Sequence, residues 1–111
     1  MQIYKIVMTN RSKDDLIDIG DYITYTLLEP ETARNFIKGL RKSINTLISM
    51  PAKYPLVEDP VLKSQAIRCM PYKNYYIFYK IIDAMNTVII LRVGYNRRNW
   101  KEILYNKNTN V

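Results

Sequence analysis

Cationic and aromatic side chains concentrate near the C-terminal end of the chain. The stretch "RVGYNRRNW", residues 92–100, contains three arginines, one tyrosine and one tryptophan within nine positions. The guanidinium group of arginine binds phosphate and carboxylate groups through paired hydrogen bonds, and a neighbouring aromatic ring adds a surface for stacking. The types and spacing of these residues therefore favour binding of an anionic partner.

The positive charge of the chain is unevenly distributed. Residues 1–60 contain eight basic and eight acidic residues, whereas residues 61–111 contain nine basic and two acidic residues, so the second half carries the whole net charge of +7. This asymmetry favours a nucleic acid, an acidic protein segment or, less readily, a membrane surface as partner. The alternative is a solvated basic face that only keeps the protein soluble.

The size and composition of the chain indicate one domain that spans residues 1–111. The chain is 48% hydrophobic, which is enough for a single packed core. It has no apolar stretch long enough to cross a bilayer and no secretory signal, so we expect a cytoplasmic protein with no membrane partner. The single cysteine cannot form an internal disulfide, and without histidine a zinc site would need carboxylates alone, so we expect no metal and no cofactor.

Two amphipathic helices are predicted after a first strand at residues 2–9. Ser12 and Asp15 form a start similar to a capping box, and Pro30 suits the first turn of the second helix. The apolar stripes at helical spacing are Leu16, Ile19, Ile23 and Leu27 in the first helix, and Ala33, Phe36, Ile37, Leu40, Ile44, Leu47 and Ile48 in the second. We expect these helices to form an antiparallel hairpin.

Three strands are predicted at residues 65–70, 74–82 and 87–95, after a proline-rich surface loop at residues 51–64. We expect a β-hairpin in which Ile82 pairs with Thr87 and the register continues unbroken. One face then carries Tyr76, Phe78, Lys80 and Ile82 with Thr87, Ile89, Leu91, Val93 and Tyr95, and the other carries Tyr75, Ile77, Tyr79 and Ile81 with Val88, Ile90 and Arg92. A short helical turn around "RRNWKEIL" completes the prediction. The fold is α+β, with an N-terminal strand, an antiparallel αα-hairpin packed on a mainly antiparallel four-stranded sheet, and a short C-terminal helix.

The order of these elements and several motifs resemble one known superfamily. The motifs are "DLIDIGDYI", "PETARNFI", "MPAKYPLV", "IRCMPYKNYYIFYKI" and "VIILRVGYNRRNWKEIL", and the resemblance extends from Tyr4 to Leu104. In these features the sequence is similar to the RelE/ParE superfamily of toxins from bacterial type II toxin–antitoxin systems. The resemblance implies a compact fold of two helices against a curved sheet, a small acidic antitoxin as partner, and a role in growth inhibition and plasmid stabilisation.

The resemblance also implies one of two targets. ParE-like members poison DNA gyrase, whereas RelE-like members cleave mRNA in the ribosomal A site with a key arginine at a position that corresponds to Tyr76 here. Without histidine, the base would be a tyrosine phenolate or a neutral lysine. Deprotonation of tyrosine at neutral pH costs roughly 4 kcal/mol, and crowded cations would favour either of these forms. We expect a gyrase poison; the alternatives are a RelE-like endonuclease and a plain nucleic-acid-binding module.

Most of the candidate site residues are basic and lie in the second half of the chain. The candidates for catalysis are Arg68, Lys80, Tyr95, Arg97 and Arg98. The residues expected to contact a target or an antitoxin are Arg68, Lys73, Tyr76, Lys80, Arg97, Arg98 and Lys101. We expect the positive residues to form one basic surface on the uncovered side of the sheet.

Simpler structural roles compete with these functional ones. Arg68 pairs either with a ligand or with Glu58 or Asp59 in the preceding loop. Arg92 is expected at a buried rim, stacked on an aromatic ring. Trp100 is expected to pack onto the sheet and to leave the neighbouring arginines pointing outward.

Overall fold

The structure is a computed structural model that describes residues 3–95 and residue 104. Its elements are strand β1 (Lys5–Met8), helix α1 (Asn10–Asp21), a π-helical turn (Tyr22–Thr26), helix α2 (Pro30–Asn45), 3-10 turns at Thr46–Ile48, Pro51–Lys53 and Asp83–Met85, helix α3 (Pro60–Ser64), and strands β2 (Arg68–Tyr72), β3 (Tyr75–Ile82) and β4 (Thr87–Tyr95). The strands form one sheet in the order β1-β4-β3-β2, in which β1 runs parallel to β4 and the other neighbours are antiparallel.

The predicted α+β fold, with its helical hairpin and mainly antiparallel four-stranded sheet, is confirmed. The predicted C-terminal helix lies outside the described residues, apart from Leu104. None of the helices in the described part of the chain is long and apolar enough to cross a membrane.

Helix α1 begins three residues earlier than predicted. Its N-cap is Thr9, whose Oγ1 accepts a hydrogen bond from the backbone N–H of Ser12 at 3.1 Å, while the Ser12 hydroxyl donates back to the Thr9 carbonyl at 2.8 Å. The expected Ser12–Asp15 capping box is therefore wrong. Thr9 has the extended backbone of the strand that precedes it, which is the conformation an N-cap requires, and Asp15 is bound elsewhere.

The helical hairpin closes through a strained connection. The end of α1 widens into the π-helical turn, where the backbone N–H of Leu27 donates to the Tyr22 carbonyl at 3.1 Å. Leu28 then adopts a positive φ of 56°, and the N–H of Glu29 donates to the Ile23 carbonyl at 3.0 Å. Pro30 opens α2 as predicted. The connection therefore reverses the chain with no glycine at its positive-φ position.

The β3–β4 pairing contains a bulge that the sequence did not predict. The predicted register holds from Ile82↔Thr87 to Tyr79↔Ile90, but the next pair is Phe78↔Arg92, so Leu91 is an extra residue in β4. The unbroken register is therefore wrong beyond Tyr79. Because side chains alternate along a strand, the extra residue exchanges the faces of the positions that follow it.

Two hydrophobic clusters fill the two faces of the sheet. The first lies between the sheet and the helical hairpin and contains Leu16, Ile19, Ile23, Ala33, Leu40, Ile44, Leu47, Met70, Ile77, Tyr79, Val88, Ile90 and Val93, among others. The second lies on the opposite face and contains Val57, Leu62, Ile67, Cys69 and Phe78, against which Tyr76, Leu91 and Leu104 pack.

The segment predicted as a plain surface loop, residues 51–64, forms part of the second cluster. The Asp59 carboxylate caps α3 by accepting from the N–H groups of Val61 and Leu62 at 3.0 and 3.1 Å. This cap places Leu62, which is 1% exposed, against the sheet. The prediction of a surface loop is wrong at Pro60–Ser64, because Pro60 occupies the first turn of α3, where proline is tolerated.

Candidate functional site

Arg68 lies at the start of the edge strand β2 and holds the preceding loop in place. Its Nη1 donates a hydrogen bond of 2.6 Å to the backbone carbonyl of Tyr54, and Leu56 forms an isolated bridge with the Arg68 backbone. The partner in the preceding segment is thus a carbonyl oxygen rather than Glu58 or Asp59. This contact gives Arg68 a structural role at the edge of the sheet, while the residue itself stays partly exposed.

Lys80 lies on the opposite face of the sheet from Arg68. Arg68 pairs with Tyr79, whose side chain belongs to the cluster under the helices, whereas Lys80 follows Tyr79 in a regular strand and therefore points to the other side. Its Cα partner on β4 is Ile89, which in turn pairs with Val7 of β1. The expectation of one basic surface that contains both Arg68 and Lys80 is therefore wrong, because the sheet separates them.

Lys73 and Tyr76 are held by aromatic and apolar neighbours. Lys73 occupies the tight β2–β3 turn with a positive φ of 54°, and its Nζ lies 6.0 Å from the Phe36 ring centroid and 5.8 Å from that of Tyr72. Tyr76 is partly buried and packs against the second cluster. Lys73 is thus a cation that lies over one ring of α2 and one ring of β2.

The densest predicted basic patch lies beyond the end of β4. Arg97, Arg98 and Lys101, together with Trp100, lie outside the described residues.

Arg92 forms an ion pair that joins β4 to α1. Its Nε donates to Asp15 Oδ2 at 2.8 Å and its Nη2 donates to Oδ1 at 2.9 Å, while the backbone N–H of Val93 donates to the same Oδ2 at 2.9 Å. Both side chains are 11% exposed. Arg92 is buried, as predicted, and its ion pair is with a carboxylate that the sequence analysis did not predict. The sequence signal was an acid on the sheet-facing side of α1, which had been assigned to helix capping.

Tyr95 lies on the helix side of the sheet because of the bulge. It pairs with Tyr75, and the two rings meet edge to face with centroids 5.2 Å apart. Together they border a groove of about 700 Å³ that is also lined by Tyr22, Leu27 and Val93. Burial, with smaller contributions from Tyr95 and Tyr22, raises the pKa of Tyr75. Tyr95 and Lys80 are thus on different faces and cannot act on one ligand atom.

The tyrosines whose pKa is raised are poor bases. Burial raises the pKa of Tyr79 to about 12, although Arg68 opposes the shift, and its hydroxyl donates to the Pro51 carbonyl at 2.7 Å. The hydrogen bond from the Tyr4 hydroxyl to Asp83, 2.8 Å long, raises the pKa of Tyr4. Each of these phenols is held in its protonated form, which suits a structural hydrogen bond and disfavours proton abstraction.

Comparisons with known proteins agree on the fold and the family. The sequence profile of the family described as "ParE toxin of type II toxin-antitoxin system, parDE" matches residues 6–100. A chain from the structure of the chromosomal ParDE toxin–antitoxin system of P. aeruginosa is 16% identical, with a TM-score of 0.70 over 86% of this chain and 98% of that one.

Two RelBE complexes also share the fold. A chain of the RelBE2 complex from Mycobacterium tuberculosis is 19% identical, with a TM-score of 0.57 over 85% of this chain and 99% of that one. A chain of the intact E. coli RelBE complex is 16% identical, with a TM-score of 0.59 over 86% and 99% of the two chains. The search of curated protein sequences finds no match to this chain.

The two-helix hairpin on a four-stranded mixed sheet is the architecture of RelE/ParE-type toxins, and the predicted membership of that superfamily is confirmed. Because the family profile covers most of its length, the chain belongs to the ParE toxin family of type II toxin–antitoxin systems.

Proposed function

We propose that this toxin inhibits DNA gyrase by binding to it, rather than by cleaving RNA. The observation that supports this proposal best is the separation of the candidate catalytic side chains: Lys80 lies on one face of the sheet, and Arg68 and Tyr95 lie on the other. Cleavage of RNA needs a base and cationic groups close to the same phosphate, within hydrogen-bonding reach. The described residues do not provide that arrangement.

The family match supports the same choice. The matching profile is that of ParE toxins, and the TM-score to the ParDE chain, 0.70, exceeds the values of 0.57 and 0.59 for the RelBE chains. The helical hairpin is also long, with 12 residues in α1 and 16 in α2. The RelE-like endonuclease is the second candidate, since those toxins share the fold.

A cognate antitoxin is the second partner in this proposal. The three solved relatives described above are toxin–antitoxin complexes or systems by name. An acidic antitoxin segment would complement residues 61–111, which contribute the whole net charge of +7. In this proposal the toxin is a single domain that works in the cytoplasm and needs no cofactor or metal.

The experiment compares the two targets directly. Purified protein is added to gyrase with relaxed plasmid and ATP, and in parallel to ribosomes stalled on a defined mRNA. We expect inhibited supercoiling and intact mRNA. Tyr95→Phe removes a candidate base, and Lys80→Gln removes a candidate cation. Lys63→Gln is the matched exposed control. We expect Tyr95→Phe to inhibit gyrase like the wild type.

Two other results would refute the proposal. Cleavage of ribosome-bound mRNA that is lost in Tyr95→Phe or Lys80→Gln, but kept in Lys63→Gln, would establish the nuclease. The protein would be a plain nucleic-acid-binding module if it neither inhibits gyrase nor cleaves mRNA, is harmless when expressed in bacteria, and binds DNA or RNA measurably.

A further inference from the structure

The tip of the helical hairpin exposes an unusual amount of apolar surface. Four large side chains within seven residues, at 22–28, point into solvent: Tyr22, Tyr25, Leu27 and Leu28, with Tyr25 73% and Leu28 78% exposed. We call residues 22–28 the hairpin tip. Isolated exposed apolar residues are common on soluble proteins, but a contiguous group of this kind marks an interaction surface.

The backbone of the hairpin tip is also strained. It contains the π-helical turn, and Leu28 has a positive φ of 56°, a conformation that favours glycine or asparagine and is unfavourable for leucine. The side chain of Leu28 recovers no burial within the chain in return. The positive φ closes the helical hairpin through the hydrogen bond from Glu29 to the Ile23 carbonyl, and the turn thereby presents the Leu28 side chain to solvent.

The surroundings of the hairpin tip are acidic, in contrast to the rest of the protein. Residues 14–33 contain six carboxylates and no lysine or arginine, although the whole chain has a net charge of +7. Asp15 is bound by Arg92 and Glu31 by Arg34, whereas Asp18, Asp21 and Glu29 are exposed next to the apolar side chains. A surface of this charge repels nucleic acid, an anionic membrane, an acidic antitoxin and the tip of a second copy.

A concave surface continues from the hairpin tip. Tyr22 and Leu27 form one wall of the groove whose other wall contains Tyr75 and Tyr95. Tyr95 is 59% exposed, so aromatic surface extends from the tip towards the end of β4. Rigid aromatic residues of this kind are enriched at the centres of protein interfaces.

We propose that the hairpin tip docks into an apolar surface bordered by cations on the protein subunits of gyrase, and that Tyr25 and Leu28 are the anchors of this contact. The inference rests on the proposed function and identifies the part of the toxin that recognises the target. The acidic tip contacts protein rather than the DNA that gyrase carries, and the basic second half of the chain is left for the antitoxin.

The test measures binding of the toxin to immobilised gyrase holoenzyme without DNA, followed by inhibition of supercoiling. Leu28→Asn removes the apolar anchor and suits the positive φ, so the thermal midpoint should stay equal or rise while binding weakens roughly tenfold or more. Tyr25→Asn should weaken binding to a similar degree. Met85→Asn is the matched control, since Met85 is a 65% exposed apolar residue in the β3–β4 turn.

A charge variant tests the cationic border. Asp18→Lys combined with Asp21→Lys should weaken gyrase binding at low salt, with a smaller loss at high salt, because exposed charges are screened. Unchanged binding in this double variant would exclude the charge complementarity on which the choice of partner depends.

The outcomes separate the inference from the proposed function. If the wild type neither binds nor inhibits gyrase, the proposed function and the inference are both refuted. The proposed function stands and the inference is refuted in two cases. In the first, Leu28→Asn and Tyr25→Asn bind gyrase as well as the wild type does. In the second, Met85→Asn loses as much binding as the two tip variants. A loss in both tip variants, with intact folding and a normal control, supports the docking contact.

Discussion

The ion pair between Asp15 and Arg92 gives the sharpest prediction for stability. It connects residues 77 positions apart, and the Asp15 carboxylate accepts three hydrogen bonds, two from the guanidinium group and one from the Val93 amide. Asp15→Ala would leave a guanidinium group that is 11% exposed without this anion and would remove the acceptor of a backbone N–H. Loss of one partner of a buried pair costs about 3–5 kcal/mol.

The chain provides a matched control for this substitution. Arg34 and Glu31 form an exposed ion pair of 2.6 Å on α2, with side chains 67% and 78% exposed. Arg34→Ala should cost less than about 1 kcal/mol, because water screens the pair and solvates whichever charge remains. The two variants therefore compare a buried ion pair with an exposed one, and Asp15→Ala additionally removes the acceptor of the Val93 N–H.

The assay is urea unfolding followed by circular dichroism at neutral pH. With a urea slope of about 1–3 kcal/mol per molar, a loss of about 3 kcal/mol lowers the midpoint by roughly 1–3 M at unchanged slope. Replacing both partners, as Asp15→Leu with Arg92→Met, should recover much of the loss, because no unpaired charge is then buried. A midpoint for Asp15→Ala within error of that for Arg34→Ala would refute the account of how α1 is fixed to β4.

Two further predictions concern the contacts between the sheet and its surroundings. A Cβ on Gly39 would collide with the Tyr72 hydroxyl, whereas one on Gly20 would meet Ile37 at an ordinary 3.8 Å. Gly39→Ala should therefore lower the thermal midpoint, and Gly20→Ala should not. Adding Tyr72→Phe to Gly39→Ala should restore part of the lost thermal midpoint. The raised pKa of Tyr79, about 12, means that its contribution to stability is complete below pH 10 and is lost as the pH rises towards 12. Thermal midpoints at pH 9 and 11 should accordingly fall less steeply in Tyr79→Phe than in the wild type, and an equal decline in both would contradict the assignment.

Local patterns in the sequence predicted the elements well but not how they meet. The stripes of α1 and α2 have a clear helical period, and β3 and β4 are rich in β-branched and aromatic residues, so their type followed from the sequence. The bulge at Leu91 did not, because both faces of β4 are apolar and a shift of one residue leaves the pattern unchanged.

The candidate site was predicted less well than the fold for the same reason. The grouping of Lys80 with Tyr95 depended on the unbroken register, and one extra residue moved Tyr95 to the other face. The pairing of Asp15 with Arg92 joins two distant segments, and no local period encodes such a contact. The sequence did indicate that the positive charge is concentrated in the second half of the chain, because that count does not depend on strand register.

The parallel pairing of β1 with β4 has a consequence for the biogenesis of this protein. Strand β1 lies beside β4, so β1 has no neighbour in the sheet until the ribosome has made residues 87–95. The helices emerge earlier, yet their apolar stripes lack the surface that buries them. Contacts between segments that are far apart in sequence form late and slow folding. A nascent chain therefore completes the sheet only after β4 has been translated, and products truncated before Thr87 should lack the β1–β4 pairing.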